Sequence, residues 1–349
     1  MGPEFWIVIG EKAALAGIMI GLCLFVAMYS TWAERKVAAY MQDRRGPDRA
    51  GWGGLLQPLA DGGKLFFKEE ITPRHAEKFI FILGPTIAMT LACITGAVIP
   101  WSTPFEWGDR IITPLIADIN IGYLYIFGVL SIGVYGMMLG AWASNNKWSL
   151  MGGVRGASQV ISYEIPLGLA LIAVLMLSGS LKLSVIVDEQ LDSYWNVVRQ
   201  PLAFLIFLVC TFAETNRNPF DLPEAESELM GGYHSEYSSM KLGFFLFAEY
   251  VNVFISSVIL ATLFFGGYDI PFVNDAALTE KLGMNAMAWI HFIVLFIKTC
   301  MFIFLFMWVR WTLPRFRYDQ LMNLGWKQLI PLALINLIIT GFVALYFFN

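Results

Sequence analysis

Residues 212–237 read FAETNRNPFDLPEAESELMGGYHSEY and set six carboxylates between two strongly apolar segments, 200–213 and 242–268. Charge of that density is costly beside hydrocarbon. Where it stands at or in a membrane it marks proton or ion handling, or a docking surface for a partner; an acidic solvated loop is the plain alternative. The choice turns on whether the flanking segments cross a bilayer.

Composition answers that question. Of 349 residues, 57% are hydrophobic and 14% charged, with a mean hydropathy of +0.62, whereas soluble domains carry roughly 25% charged residues. A soluble globular protein is excluded. A net charge of -4 and the lack of any basic run argue against nucleic acid as a partner. Cys23, Cys93, Cys210 and Cys300 each lie singly within an apolar segment, which suggests packed thiols and neither a disulfide framework nor a metal cluster. His75, His234 and His291 are equally scattered, and no Walker loop or G-x-G-x-x-G appears. Any redox cofactor or nucleotide is therefore expected on another chain.

About 20 apolar residues span the hydrocarbon core as a helix. Eight runs qualify or nearly so: 13–33, 79–105, 119–146, 156–181 broken only by Glu164, 200–213, 242–268 broken only by Glu249, 282–309 broken only by Lys298, and 328–349. The expectation is an all-α integral membrane protein with eight transmembrane helices, forming one polytopic domain over residues 1–349. The fifth run reaches only about 21 Å at 1.5 Å per residue, so it must recruit residues 195–199 or Glu214, which puts Glu214 at membrane depth. Before the first run stand Glu4, Glu11 and Lys12, without the basic flank of a secretory signal peptide, so a retained first helix is expected. Loops after the odd-numbered runs hold seventeen of the 23 Lys and Arg residues. By the positive-inside rule these loops are cytoplasmic and both termini lie on the periplasmic side.

The first such loop contains LLQPLADGGKLFFKE, in which Gln57, Asp61, Lys64 and Lys68 recur at intervals of four, three and four. That spacing predicts an amphipathic helix lying in the interface or against the protein's own spans. Pro58 fits its first turn, while Gly62 and Gly63 weaken it as an isolated helix. Its functional reading is a lateral gate for a lipid-soluble molecule, and its plain reading is surface packing.

AERKVAAYMQDRRGP at 33–47, QPLADGGKLFFKE at 57–69, GAWASNNKWSLMGGVRGASQVISYEIP at 140–166, AETNRNPFDLPEAESELMGGYHSEYSSMK at 213–241 and FMWVRWTLPRFRYDQLMNLGWK at 306–327 strongly resemble the H-subunit family of respiratory complex I, the proton-pumping NADH:quinone oxidoreductase. The resemblance runs in order along nearly the whole chain. Asn218 replaces an expected small residue, and Met230-Gly231-Gly232 replaces a commoner Val-Ala-Gly; neither removes a charge. The resemblance implies a bacterial inner-membrane subunit whose substrate is ubiquinone or menaquinone. It would contact the soluble quinone module, the antiporter-like pump subunits and membrane lipids, with FMN and iron–sulfur clusters held by partner subunits.

On that basis Glu34, Arg35, Asp61, Lys64, Phe66 and Phe67 are candidates for the quinone channel, the two phenylalanines facing the isoprenoid tail. Glu164, Glu214, Glu224, Glu226, Glu228 and Glu249 are candidates for a proton-coupling path, because burial brings a carboxylate's neutral form within reach. A helix through Glu224, Glu226 and Glu228 would spread these three around its axis. For Glu164 and Glu249 a helix-locking bond is the plain alternative, with Lys298 as a possible partner. Arg44, Arg45, Arg310, Arg315 and Arg317 are expected to anchor to headgroups or to a partner's carboxylates. Other classes weighed are a hydrogenase-type membrane subunit and a stand-alone secondary transporter; against the latter, no similarity between the two halves is found.

Overall fold

Helices satisfy their own backbone polar groups, which hydrocarbon requires, and each of the eight uncharged runs is built around one. The computed structural model describes residues 3–108, 110–271 and 275–347. Its α-helices are Pro3–Met41 (α1), Gln57–Phe67 (α2), Lys78–Thr95 (α3), Gly122–Ala143 (α4), Lys147–Ser178 (α5), Leu183–Asp192 (α6), Asn196–Arg199 (α7), Pro201–Glu214 (α8), Glu226–Leu229 (α9), Ser239–Phe264 (α10), Asp275–Leu282 (α11), Met284–Thr312 (α12), Tyr318–Asn323 (α13) and Ile330–Phe347 (α14). Seven helices among the described residues are long and apolar enough to cross a membrane: α1, α3, α4, α5, α10, α12 and the α13–α14 segment, while α8 has 14 residues. The protein is an all-α, multi-pass membrane protein.

Local chemistry sets the helix ends. The Asn146 side chain accepts from the Trp148 amide at 3.0 Å and starts α5; Gly179, at φ 63°, closes it by donating to the Leu175 carbonyl at 2.8 Å. α10 is the central helix, with 67% of its most apolar stretch buried against 22–50% for the other six. By contrast α12 leaves Trp289, Ile293, Ile297 and Met301 exposed along one side, every fourth residue, as a lipid-facing stripe requires. α3 and α4 touch backbone to backbone: a Cβ on Gly84 would sit 2.8 Å from the Gly140 Cα, the close approach that small residues permit between membrane helices.

The segment after α8 is seated on α5. A Cβ at Gly152 would come within 2.8 Å of the Pro223 carbonyl oxygen, and the fully buried Gln159 amide donates to the carbonyls of Ala213 (2.7 Å) and Phe220 (2.8 Å) and to Asn216 Oδ1 (3.2 Å).

Several expectations need correction. α1 continues eight residues past the last uncharged position, to Met41, so Glu34 and Arg35 belong to a helix and not to a loop. α5 likewise begins at Lys147 and takes in Arg155. After α8 the acidic stretch is mostly irregular, with one α-helical turn at Glu226–Leu229 and a 3-10 turn at Gly232–His234, so Glu224 precedes the helix that the alternation suggests. On the other side of the spans, β1 (Phe105–Trp107) and β2 (Arg110–Ile112) pair antiparallel with Phe105 opposite Ile112, a small hairpin that the helical reading does not foresee.

Candidate functional site

A cavity of about 450 Å³ opens between α1, α2 and α10, within the range of roughly 300–1,000 Å³ typical of ligand pockets. Its walls are mainly apolar, with Met28, Leu65, Leu246 and Phe247 among them, and Glu34, Arg35, Asp61, Lys64 and Tyr250 are among its polar handles, with Thr31 and Lys68 beside them. Asp61 and Lys64 of α2 both stand on the wall. Arg35 pairs with Asp61 at 2.6 Å, and Gln57 donates to the same carboxylate at 3.0 Å. Phe66 and Phe67 do not line this cavity; both are exposed, Phe67 by 94%.

Glu34 is buried at the cavity's inner wall and holds three partners. Arg310 Nη1 lies 2.5 Å from Oε1, the Tyr250 hydroxyl donates to Oε2 at 2.8 Å, and Arg217 Nη1 stands 3.4 Å from the same oxygen. Arg217 is itself buried, with its guanidinium 4.2 Å from the centre of the Tyr250 ring. Burial opposes its charge, but Tyr250, Glu34 and Glu249 outweigh that cost and raise its pKa above the ordinary value. A charged guanidinium therefore pairs with Glu34 and acts electrostatically on Glu249.

Glu249 accepts from the Tyr233 hydroxyl at 2.8 Å. With Glu214, Asn216, Tyr233 and Asn252 it lines a second cavity of about 70 Å³, room for a few waters among several polar groups. Glu214 also borders a smaller void beside Tyr123, Thr211 and Ser256. Glu164, half-buried on α5, is near enough for its charge to act on Glu214. Closer to the surface, Asp221 pairs with Arg315 at 2.6 Å. Burial and the neighbouring Glu224 push the Asp221 carboxyl up to about 7 in spite of that arginine. Glu224 lies 3.7 Å from His234. Glu228 is half-exposed and pairs with Arg155 at 2.6 Å, outside the buried group. The side chain of Glu226 lies outside the described residues.

From sequence, Arg310 and Arg315 are expected at headgroups or partners; both instead turn inward to carboxylates of this chain. Lys298 pairs with neither Glu164 nor Glu249. Its ammonium donates to the carbonyls of Phe265 (2.7 Å), Gly267 (2.9 Å) and Asp269 (2.7 Å), capping the end of α10. Arg217, Asp221, Tyr233, Tyr250 and Gln159 are not singled out by the sequence reading. The signal available for most of them is their place inside the quoted AETNRNPFDLPE and ASQVISYE strings.

Fold and site together define a polytopic α-helical membrane protein with an apolar-walled cavity joined to an interior chain of carboxylates. Among the described residues no three His, Cys, Asp or Glu side chains gather as a metal-ligand set. The family model described as NADH dehydrogenase matches residues 13–341. Curated relatives include the NADH-quinone oxidoreductase H subunit of Flavobacterium johnsoniae, 59% identical over 335 residues, covering 96% of this chain and 95% of the relative. The NADH-quinone oxidoreductase H subunit 1 of Cytophaga hutchinsonii is 60% identical over 337 residues, covering 97% of each, and NADH-quinone oxidoreductase subunit 8 of Rhodothermus marinus is 47% identical over 351 residues, covering 99% of each. The chain belongs to the NADH dehydrogenase family of NADH-quinone oxidoreductase H subunits.

Proposed function

We propose that this chain is the membrane subunit of a proton-pumping NADH:quinone oxidoreductase that admits quinone from the bilayer and passes the charge change of its reduction to a row of interior carboxylates. The observation that carries this reading is the double position of Glu34. It borders the 450 Å³ cavity and, through Arg217, faces Glu249 and the cavity that holds Glu214.

Reducing a quinone takes two electrons and two protons. The electrons come from FMN and iron–sulfur clusters of partner subunits, and this chain binds none of those groups. Negative charge arising beyond the cavity draws on the Glu34, Arg217 and Arg310 node. Any movement of Arg217 alters the field at Glu249, which is held by Tyr233. Glu249 and Glu214 share a water-sized space, so a proton passes between them through one or two waters. Glu164 extends the row along α5, and Glu224 leads to it from the surface. Glu228, half-exposed, serves as the outer rim.

In this reading α8 completes an eighth crossing with the turn of α7 before it, and residues 1–349 form one polytopic domain. α2 lies in the interface, where exposed Phe66 and Phe67 meet lipid while Asp61 and Lys64 guide the headgroup of ubiquinone or menaquinone. The membrane is the bacterial inner membrane, with the odd-numbered loops cytoplasmic, both termini periplasmic, and antiporter-like pump subunits as partners.

Purification from native membranes in mild detergent, followed by assay of inhibitor-sensitive NADH:quinone reduction, tests the reading. A large assembly with flavin, iron–sulfur subunits and that activity supports it. A lone chain, or one attached to a hydrogenase module without quinone activity, sinks it.

A further inference from the structure

The turn that leads into α10 grips α2 and the chain following it at several points. α2 ends at Phe67, so the Leu65 carbonyl is one of the last four that the helix leaves without a partner. The buried Ser239 hydroxyl supplies one, donating to it at 3.0 Å. Ser239 does so from a left-handed backbone, φ 56°, a conformation that non-glycine residues adopt at some cost. Beside it, Ser238 Oγ accepts from the Ile71 amide at 3.0 Å. Lys241 Nζ reaches Glu70 at 2.5 Å and the Thr72 hydroxyl at 3.5 Å, and lies 5.3 Å from the centre of the Phe81 ring.

These contacts fall where two cavity walls meet. Leu65 and Lys64 of α2 line one side of the 450 Å³ cavity, and Leu242, Leu246 and Tyr250 of α10 the other. Between them a Cβ on Gly243 would already touch Leu65 Cδ1 at 3.4 Å. α2 carries two adjacent glycines and leaves most of its apolar side chains exposed, so beyond the Arg35–Asp61 pair that holds it to α1 little else fixes its place beside α10.

We propose that Ser239 and Lys241 are positioning residues for the substrate's tail: Ser239 straps the end of α2 to α10, Lys241 straps the chain that follows α2, and together they set the width of the cavity. The inference rests on the cavity being the quinone path. Its consequence is selective, because a loosened wall weakens the grip on a long chain along its length, while a short-tailed quinone makes few of those contacts.

The test uses the whole complex in native membranes carrying Ser239→Gly or Lys241→Met. The expected result is a change of about three- to tenfold in the ratio of KM for a long-tailed to a short-tailed quinone, the size of one or two lost hydrogen bonds, with kcat moving less. Spin labels at Leu59→Cys and Phe244→Cys, with exposed Cys300 replaced by serine, should report a broader α2–α10 distance distribution in both variants. Exchanging the charges in Glu70→Lys with Lys241→Glu should restore the ratio and the narrow distribution. A wild-type ratio and a wild-type distribution in both variants would overturn the strap. A Gly62→Trp control separates the two ideas: if filling the cavity leaves quinone kinetics untouched, the quinone path itself is wrong, whereas an effective Gly62→Trp beside silent strap variants defeats the strap alone.

Discussion

Asp221 shows how burial can override a direct ion pair. Its carboxyl is raised to about 7 by burial and by Glu224, against Arg315 at 2.6 Å, whereas an unfolded aspartate titrates near 3.9. The folded state thus holds the proton more tightly. The stability this contributes is fully present below about pH 4 and is lost as pH rises through about 7. Protease protection of the 215–238 segment should decline across that window in the wild type and lose that slope in Asp221→Asn; a decline on acidification instead would refute the assignment. Glu214 is a different case, since it borders two internal cavities. Glu214→Gln should lower quinone reduction from NADH by about a hundredfold, the lower end of the range for a lost proton-transfer group, while NADH oxidation by an artificial acceptor continues. Loss of both activities together would mean failed assembly.

At the scale of elements, α2 tests whether a helix wall serves a ligand. Gly62 lines the cavity and Gly63 does not, and a Cβ at either meets nothing within 4 Å. Gly62→Trp should therefore raise KM for long-tailed quinones severalfold, and Gly63→Trp should do far less; equal effects would mean the residues act through helix stability instead. Elements such as α2 and the long spans are legible in the sequence because their signals are local, a four-three-four polar spacing or an unbroken apolar run. The end of α1 is not. An apolar run stops at its first charge, yet Glu34 stays helical and buried because Arg217 and Arg310 meet it from 183 and 276 residues further along the chain. Arg310 and Arg315 mislead for the same reason: a basic residue at the end of a span looks like a headgroup anchor until a distant carboxylate is seen beside it. The carboxylates themselves stand out in the sequence, being few amid apolar residues. The arginines and tyrosines that tie them together do not, since nothing in their spacing distinguishes them.

At the scale of the whole molecule, the cavity beside α2 and the cavity that holds Glu214 and Glu249 are separated by a buried cation. The larger, apolar-walled space suits a hydrophobic substrate, and the smaller one, where Glu214, Asn216, Tyr233, Glu249 and Asn252 meet an otherwise apolar lining, suits a few waters. Arg217 stands between, tied to Glu34 at 3.4 Å and acting electrostatically on Glu249. If it only held the quinone wall in shape, replacing it would slow electron transfer and proton movement together. If it carries the charge change across, the two must separate, because Glu249 would no longer sense what happens near Glu34. Arg217→Met keeps most of the side chain's apolar bulk and removes the charge. Measured in inverted membrane vesicles, it should lower the protons translocated per NADH oxidised as well as the rate of oxidation, and adding Glu34→Gln should lower that ratio little further, since both changes cut the same connection. A rate that falls while protons per NADH remain at the wild-type value would leave Arg217 as a structural tie and move the coupling step to another pair of residues.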